Sequence, residues 1–266
     1  MFRRTILVAM AALMCMFASA SAISAQSGMA KVRVVHASPD APAVDVWVDG
    51  NKALTNVPFF AASDYLELAA GNHDLKVVAT GTTEPAVIDA KGVAVEAGKA
   101  YTIAAVGKLA DIKPAIFVDD LTAPAAGKAH VRVLHLSPDA PGVDVKVANG
   151  ATLIPNLVFP KASNYLPVDA GSYDLQVTPA GASAVVLNLA GTKLEAGKIY
   201  DVFAVGELAN IRAEVKVTTP AASTGTTTPA PTTLPTTGGG DMSLGLAAIV
   251  AAGLIAGGIS LRRRMR

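Results

Sequence analysis

The chain has 266 residues, 52% of them apolar but only 5% aromatic and 16% charged, with 22 basic residues against 21 acidic ones. A net charge of +1 gives no whole-chain field that favours nucleic acid or an anionic surface. One cysteine, Cys15, excludes a disulfide scaffold and a cysteine-based metal cluster, and four histidines supply a multi-histidine centre poorly.

At the N-terminus Arg3 and Arg4 precede an uncharged run from Thr5 to Phe17 and then small residues ending at Ala25. This is the layout of a secretory signal peptide over 1–25, with Ala22 and Ala20 as alternative cleavage positions. The apolar run is short for the ~20 residues a membrane span requires. Cys15 follows Ala12-Leu13-Met14, which lacks the small residue expected before a lipidated cysteine, so it is expected to leave with the leader.

The next two hundred or so residues repeat themselves. Val32-Arg33-Val34-Val35-His36-Ala37-Ser38-Pro39-Asp40-Ala41-Pro42 returns as Val131-Arg132-Val133-Leu134-His135-Leu136-Ser137-Pro138-Asp139-Ala140-Pro141. Ser63-Asp64-Tyr65-Leu66 returns as Ser163-Asn164-Tyr165-Leu166, and Glu96-Ala97-Gly98-Lys99 as Glu195-Ala196-Gly197-Lys198. The units, 30–124 and 128–217, have the size of small independent domains.

Within each unit the apolar period is two. Val44, Val46 and Val48 alternate with Asp45, Trp47 and Asp49, and Val143, Val145 and Val147 repeat the pattern, each run ending in Asp-Gly or Asn-Gly. That predicts half-buried strands and hairpins. Leu75, Val77 and Ala79, then Tyr101, Ile103 and Ala105, continue it. No amphipathic helix longer than two turns is predicted. The expected fold class is therefore all-β: two tandem antiparallel β-sandwich domains, Ig-like or transthyretin-like, of about seven strands each.

Residues 218–237 are almost wholly Thr, Pro, Ala, Ser and Gly, the composition of an extended stalk. Leu234-Pro235-Thr236-Thr237-Gly238 follows within it, then an uncharged run at 243–261 long enough to span a bilayer, then a basic tail at 262–266. This order resembles the cell-wall sorting signal of Gram-positive surface proteins. The resemblance implies that a sortase cleaves between Thr237 and Gly238 and passes the threonine carboxyl to an amine of the peptidoglycan precursor. If no sortase acts, the span remains as a membrane anchor. Losing Arg3, Arg4, four C-terminal arginines and Asp241 would leave 16 basic and 20 acidic residues, a mildly acidic exported product.

The repeated Val-His-any-Ser-Pro-Asp-Ala-Pro-any-Val-Asp-Val motif resembles a family of bacterial secreted domains catalogued as domain of unknown function 4397. That resemblance implies surface sandwich domains, often in tandem, and supplies no reaction. His36, Ser38, Asp40 and Asp45, with His135, Ser137, Asp139 and Asp144, are the chemistry-bearing residues of the motif. Ser, His and Asp two apart along one strand do not assemble a triad, which draws its groups from separate segments. His36, Asp40 and Asp45, with Asp64 or Asp74, offer donors for a divalent ion, but Asp64 becomes Asn164 and the spacing matches no calcium loop. The competing reading is a rigid turn whose Ser and Asp side chains cap local N–H groups, with the histidine hydrogen-bonded beside it. The sequence thus predicts no catalytic residue, metal or cofactor. It predicts an exported, surface-anchored, non-enzymatic protein whose domains bind an extracellular glycan or protein. Self-associating envelope structure is the alternative, and a metal-dependent enzyme or calcium-stabilised module a weaker one.

Overall fold

A computed structural model describes residues 28–220. The expected leader, the sorting motif, the span, the basic tail and nearly all of the stalk lie outside them. The first repeat contains nine strands: β1 Met29–His36, β2 Val44–Val48, β3 Asn51–Val57, β4 Ala61–Ala62, β5 Leu66–Ala69, β6 Gly71–Ala79, β7 Ala86–Val95, β8 Ala100–Val106 and β9 Lys113–Asp119. The second repeats them as β10 Lys128–His135, β11 Val143–Val147, β12 Thr152–Leu157, β13 Lys161–Ala162, β14 Leu166–Asp169, β15 Gly171–Pro179, β16 Leu187–Leu194, β17 Ile199–Val205 and β18 Arg212–Thr218. A short 3-10 turn precedes each last strand, at Leu109–Asp111 and Leu208–Asn210.

Each repeat is a sandwich of two sheets, β3-β2-β6-β7 against β4/β5-β1-β8-β9, and the same order recurs in the second. The fold is all-β as the alternation requires. Nine strands stand where seven were expected, because the chain after β3 adds two short strands, β4 and β5, that pair with successive halves of β1. The sheets are also not purely antiparallel. β1 and β8 run parallel, with Val32 opposite Tyr101 and Val34 opposite Ile103, since β8 enters the sheet only after the chain has built the other one.

The hairpin signal holds at Asp49-Gly50 in the first repeat. Asp49 and Gly50 carry φ values of 50° and 77°, the left-handed pair that a two-residue primed turn demands. The Ala-Val-Gly that closes β8 and β17 has a different reason for its glycine. A Cβ on Gly107 or Gly206 would lie 2.8 Å from the carbonyl oxygen of Asp111 or Asn210, so the strand ends by packing its backbone against the 3-10 turn.

All seven residues of β8 are buried, although alternation predicts only one buried face. The inner face, with Val32, Tyr101 and Ile103, packs on Leu75 and Val95 of the opposite sheet. The other face meets the second repeat. Val35, Ala37, Ala104 and Val106 share one cluster with Leu134, Leu136, Phe203 and Val205. The two repeats are therefore one compact unit with a common core, where the sequence suggests two beads in series. Removing the outer faces of β1, β8, β10 and β17 from water is the largest apolar gain that neither repeat can make alone.

Candidate functional site: repeated turn, cross-repeat cluster and sandwich interiors

The repeated turn begins where β1 and β10 end. His36 and His135 are buried, and each Nε2 lies 3.0 and 2.9 Å from the carbonyl oxygen of Pro42 and Pro141 respectively. Burial lowers both imidazole pKa values and the carbonyl contact only partly offsets it, so both rings are neutral near pH 7. Neither contacts a nucleophile. Ser38 Oγ reaches Asp40 at 3.5 Å, while Ser137 Oγ is buried without a partner.

The four aspartates of the motif are committed to peptide groups. Asp40 Oδ1 accepts the Leu109 N–H at 2.7 Å and Asp139 Oδ1 the Leu208 N–H at 2.8 Å, tying the turn to the 3-10 turn sixty-nine residues away in each case. The turn is therefore capped, but over a long range and by Asp, where local caps from Ser and Asp were expected. Asp45 lies buried on the strand face expected to look outward. It accepts N–H groups of Asn56 and Gly81 and the Lys52 ammonium at 2.7 Å. The Lys52 contact and those peptide N–H bonds hold its pKa at about 2. Asp144 accepts the Asn156 and Gly181 N–H groups at 2.8 and 3.0 Å. The ion set imagined around Asp40 and Asp45 is not brought together: Asp64 pairs with Lys216 and Asp74 with Lys91. Among the described residues no His, Cys, Asp or Glu cluster has a metal-binding arrangement.

Among the described residues, the most polar buried place is elsewhere. Arg33 Nη2 donates to Asp201 at 2.5 Å, and Arg132 donates to Asp201 at 2.8 Å and to Asp119 at 2.6 Å. Thr102 Oγ1 accepts from Arg33 and donates to Asp119 at 2.6 Å, and the Tyr65 and Tyr165 hydroxyls donate to Asp119 and Asp201. All four charged side chains are at most 2% exposed. The Arg33 and Arg132 guanidiniums lie over the Tyr65 and Tyr165 rings at 4.9 and 4.5 Å. Burial, then the neighbouring carboxylates, push both phenol pKa values far up. Two cations and two anions balance, and every link between Arg33 and Asp201 or Arg132 and Asp119 crosses from one repeat to the other. Sequence reasoning passed over Arg33 and Arg132, although an arginine repeated inside an otherwise apolar strand was the available signal.

Both sandwiches enclose apolar chambers between their sheets. The first holds about 300 Å³, lined by residues such as Val34, Val46, Leu68 and Ile103. The second holds about 470 Å³, bounded by Val133, Val145, Leu187 and Val202, with Leu153 and Val215 at its lining. Alternation marked many of these lining residues as core, but could not show that space remains beside the contacts they make across the sandwich.

The family model described as "Domain of unknown function (DUF4397)" matches the chain twice, over residues 30–146 and 129–229. No curated protein matches it. Among solved structures, a family 26 carbohydrate-binding module from Eubacterium rectale Amy13K, in complex with maltoheptaose, aligns at 10% identity over 73% of this chain and 98% of its own, with a TM-score of 0.25. The Bacillus anthracis TIE protein aligns at 10% identity over 67% of this chain and 33% of its own, with a TM-score of 0.20. Likenesses this distant carry no weight for fold or ligand.

Proposed function

The chain belongs to the DUF4397 family, and on that premise we propose that it is an exported, surface-anchored, non-enzymatic binding protein. The two repeats form one rigid head, and the Thr/Pro-rich segment at 218–237 carries it away from the envelope. The observation that supports this reading best is the buried Arg33–Asp201 and Arg132–Asp119 cluster. It locks the repeats into a single block with a fixed outer surface, while the motif's aspartates serve the backbone instead of a reaction. Sortase and the peptidoglycan precursor are the partners that would place it, acting at Leu234, Pro235, Thr236, Thr237 and Gly238. Mass spectrometry of digested cell walls should find the C-terminal peptide ending at Thr237 joined to a wall fragment. Recovery of only intact chain ending at Arg266 from membranes would instead leave the span as a membrane anchor. Retention of purified protein on immobilised glycans or extracellular matrix proteins tests the binding role.

A second reading, envelope structure by self-association, is favoured by one observation. Ile116 and Val118 on β9 and Val215 and Val217 on β18 are exposed on the edge strand of the five-stranded sheet of each repeat. Apolar edge strands are templates for pairing with another copy. Concentration-dependent assembly without ligand, seen by light scattering, would select this reading.

A further inference from the structure

The interiors of the sandwiches carry a more specific statement. Val202 sits in the middle of β17, where each of the other six residues is buried, yet it remains partly accessible. Val34 on β1, which pairs across the sheet with Ile103, is likewise only partly buried in the first repeat. Each packs against the apolar cluster of its own sandwich and also lines the chamber beside that cluster. Val202 stands where the first repeat has Ile103, one methylene longer.

We propose that the second sandwich, and in smaller measure the first, binds a linear fatty-acyl chain between its sheets. The shape argues for it. Stacked sheets leave a gap that is thin in one direction, and crossing four strands spans about 14 Å in another. The lining of the second chamber draws on every strand of both its sheets except the two-residue β13, so the space runs the width of the sandwich. It reaches the edges of both sheets, where Leu153 on β12 and Val215 on β18 line it while 38% and 49% exposed. Its volume of about 470 Å³ is roughly three times the ~150 Å³ interior cavity that takes up benzene. The polar lining groups, Thr152, Asp169, Tyr173 and Thr192, include no cation. Recognition is therefore of the chain, with the head group left in water, and the walls gain what burial of methylenes supplies.

This inference rests on the binding reading and names its ligand class, so the experiment separates the two. Purified protein is titrated with cis-parinaric acid, a fluorescent long-chain fatty acid, and the signal is then competed with palmitate. Saturable, competable binding is expected, and Val202→Trp should remove the stronger phase and Val34→Trp the weaker. Should a tryptophan variant fail to fold, Val202→Ile decides: it restores the side chain of the first repeat and should weaken the stronger phase roughly fourfold, one methylene's worth of apolar contact. Melting curves accompany each variant, and filling an empty chamber with isoleucine should leave the melting temperature unchanged or raised. Absence of saturable uptake, or uptake indifferent to both Val202 variants, overturns the acyl-chain assignment. Retention on a glycan or protein in that event leaves the binding reading standing, whereas loss of both removes it.

Discussion

The two repeats share a backbone plan, yet they have exchanged side chains in ways that make sense only as a pair. The first has Thr102 on β8 and Asp119 on β9; the second has Asp201 and Thr218 at the aligned places. Each supplies one aspartate to the buried cluster, from a different strand. Lysine is exchanged likewise. Lys52 on β3 reaches Asp45 at 2.7 Å, whereas Lys146 on β11, aligned with Trp47, lies 3.7 Å from Asp144. Size is distributed too, since Phe203 fills the shared core opposite the small side of the first repeat, where Ala104 is aligned with it. Duplicated positions have kept their place and divided their chemistry. Neither repeat is complete without the other.

The repeats depend on one another most at the shared charges. Asp201→Ala leaves Arg33 and Arg132 short of an anion in a dry place, and should cost about 3–5 kcal/mol of unfolding free energy, measured by denaturant titration. Asp119→Thr should cost nearly as much. Adding Thr102→Asp to Asp119→Thr gives the first repeat the second's arrangement and should recover most of the loss; a double variant no more stable than the single would show that the aspartates are not interchangeable between the strands. Phe203→Ala should cost about 3–4 kcal/mol by opening a cavity in the common core, against much less for any single truncation of Ala or Val on the facing side.

A smaller effect is pH-dependent. Burial lowers the pKa of His36 and His135 from 6.5, so the unfolded chain binds protons that the folded one refuses. Their contribution is full above about pH 6.5 and declines as the pH falls below it. His73 acts in the opposite sense. Burial opposes its charge, but Asp49 at 2.6 Å and the Ala69 carbonyl raise its pKa above 6.5, so its contribution is full below 6.5 and lost as the pH rises through the folded value. Tyr173 stands in its place in the second repeat. His73→Tyr should therefore steepen the fall in melting temperature between pH 7 and 5, and His36→Gln should flatten it. The smallest change is expected at the surface: Lys216→Met breaks the Asp64 contact between repeats and should leave the melting temperature within error, since solvent and salt screen the pair.

The repeated turn shows how far one-dimensional reasoning reached at the candidate site. Ser-Pro-Asp-Ala-Pro announces a turn, and the histidine beside it does take a carbonyl partner, Pro42 or Pro141. The partner of Asp40 was illegible, because Leu109 is brought to it only when β8 closes the sheet. Asp45 reads as an outward polar residue of an alternating strand. It is buried because the β2–β3 pairing shifts register beside it and turns the Asn56 N–H toward its carboxylate.

The sequence by itself determined the longer strands, the Asp49-Gly50 hairpin and the duplication, since each rests on residues near one another along the chain, where alternation and turn chemistry act. It also carries, in linear order, the segments from which export and anchoring are proposed. Only the tertiary structure decided that β1 and β8 are buried on both faces, that four charges from two repeats neutralise one another, and that the sandwich interiors stay partly open. Those outcomes depend on which surfaces meet and how completely they fill the space between them. An alternating pattern of valine and alanine specifies that a face is apolar, and leaves to packing whether a partner, a void or a ligand covers it.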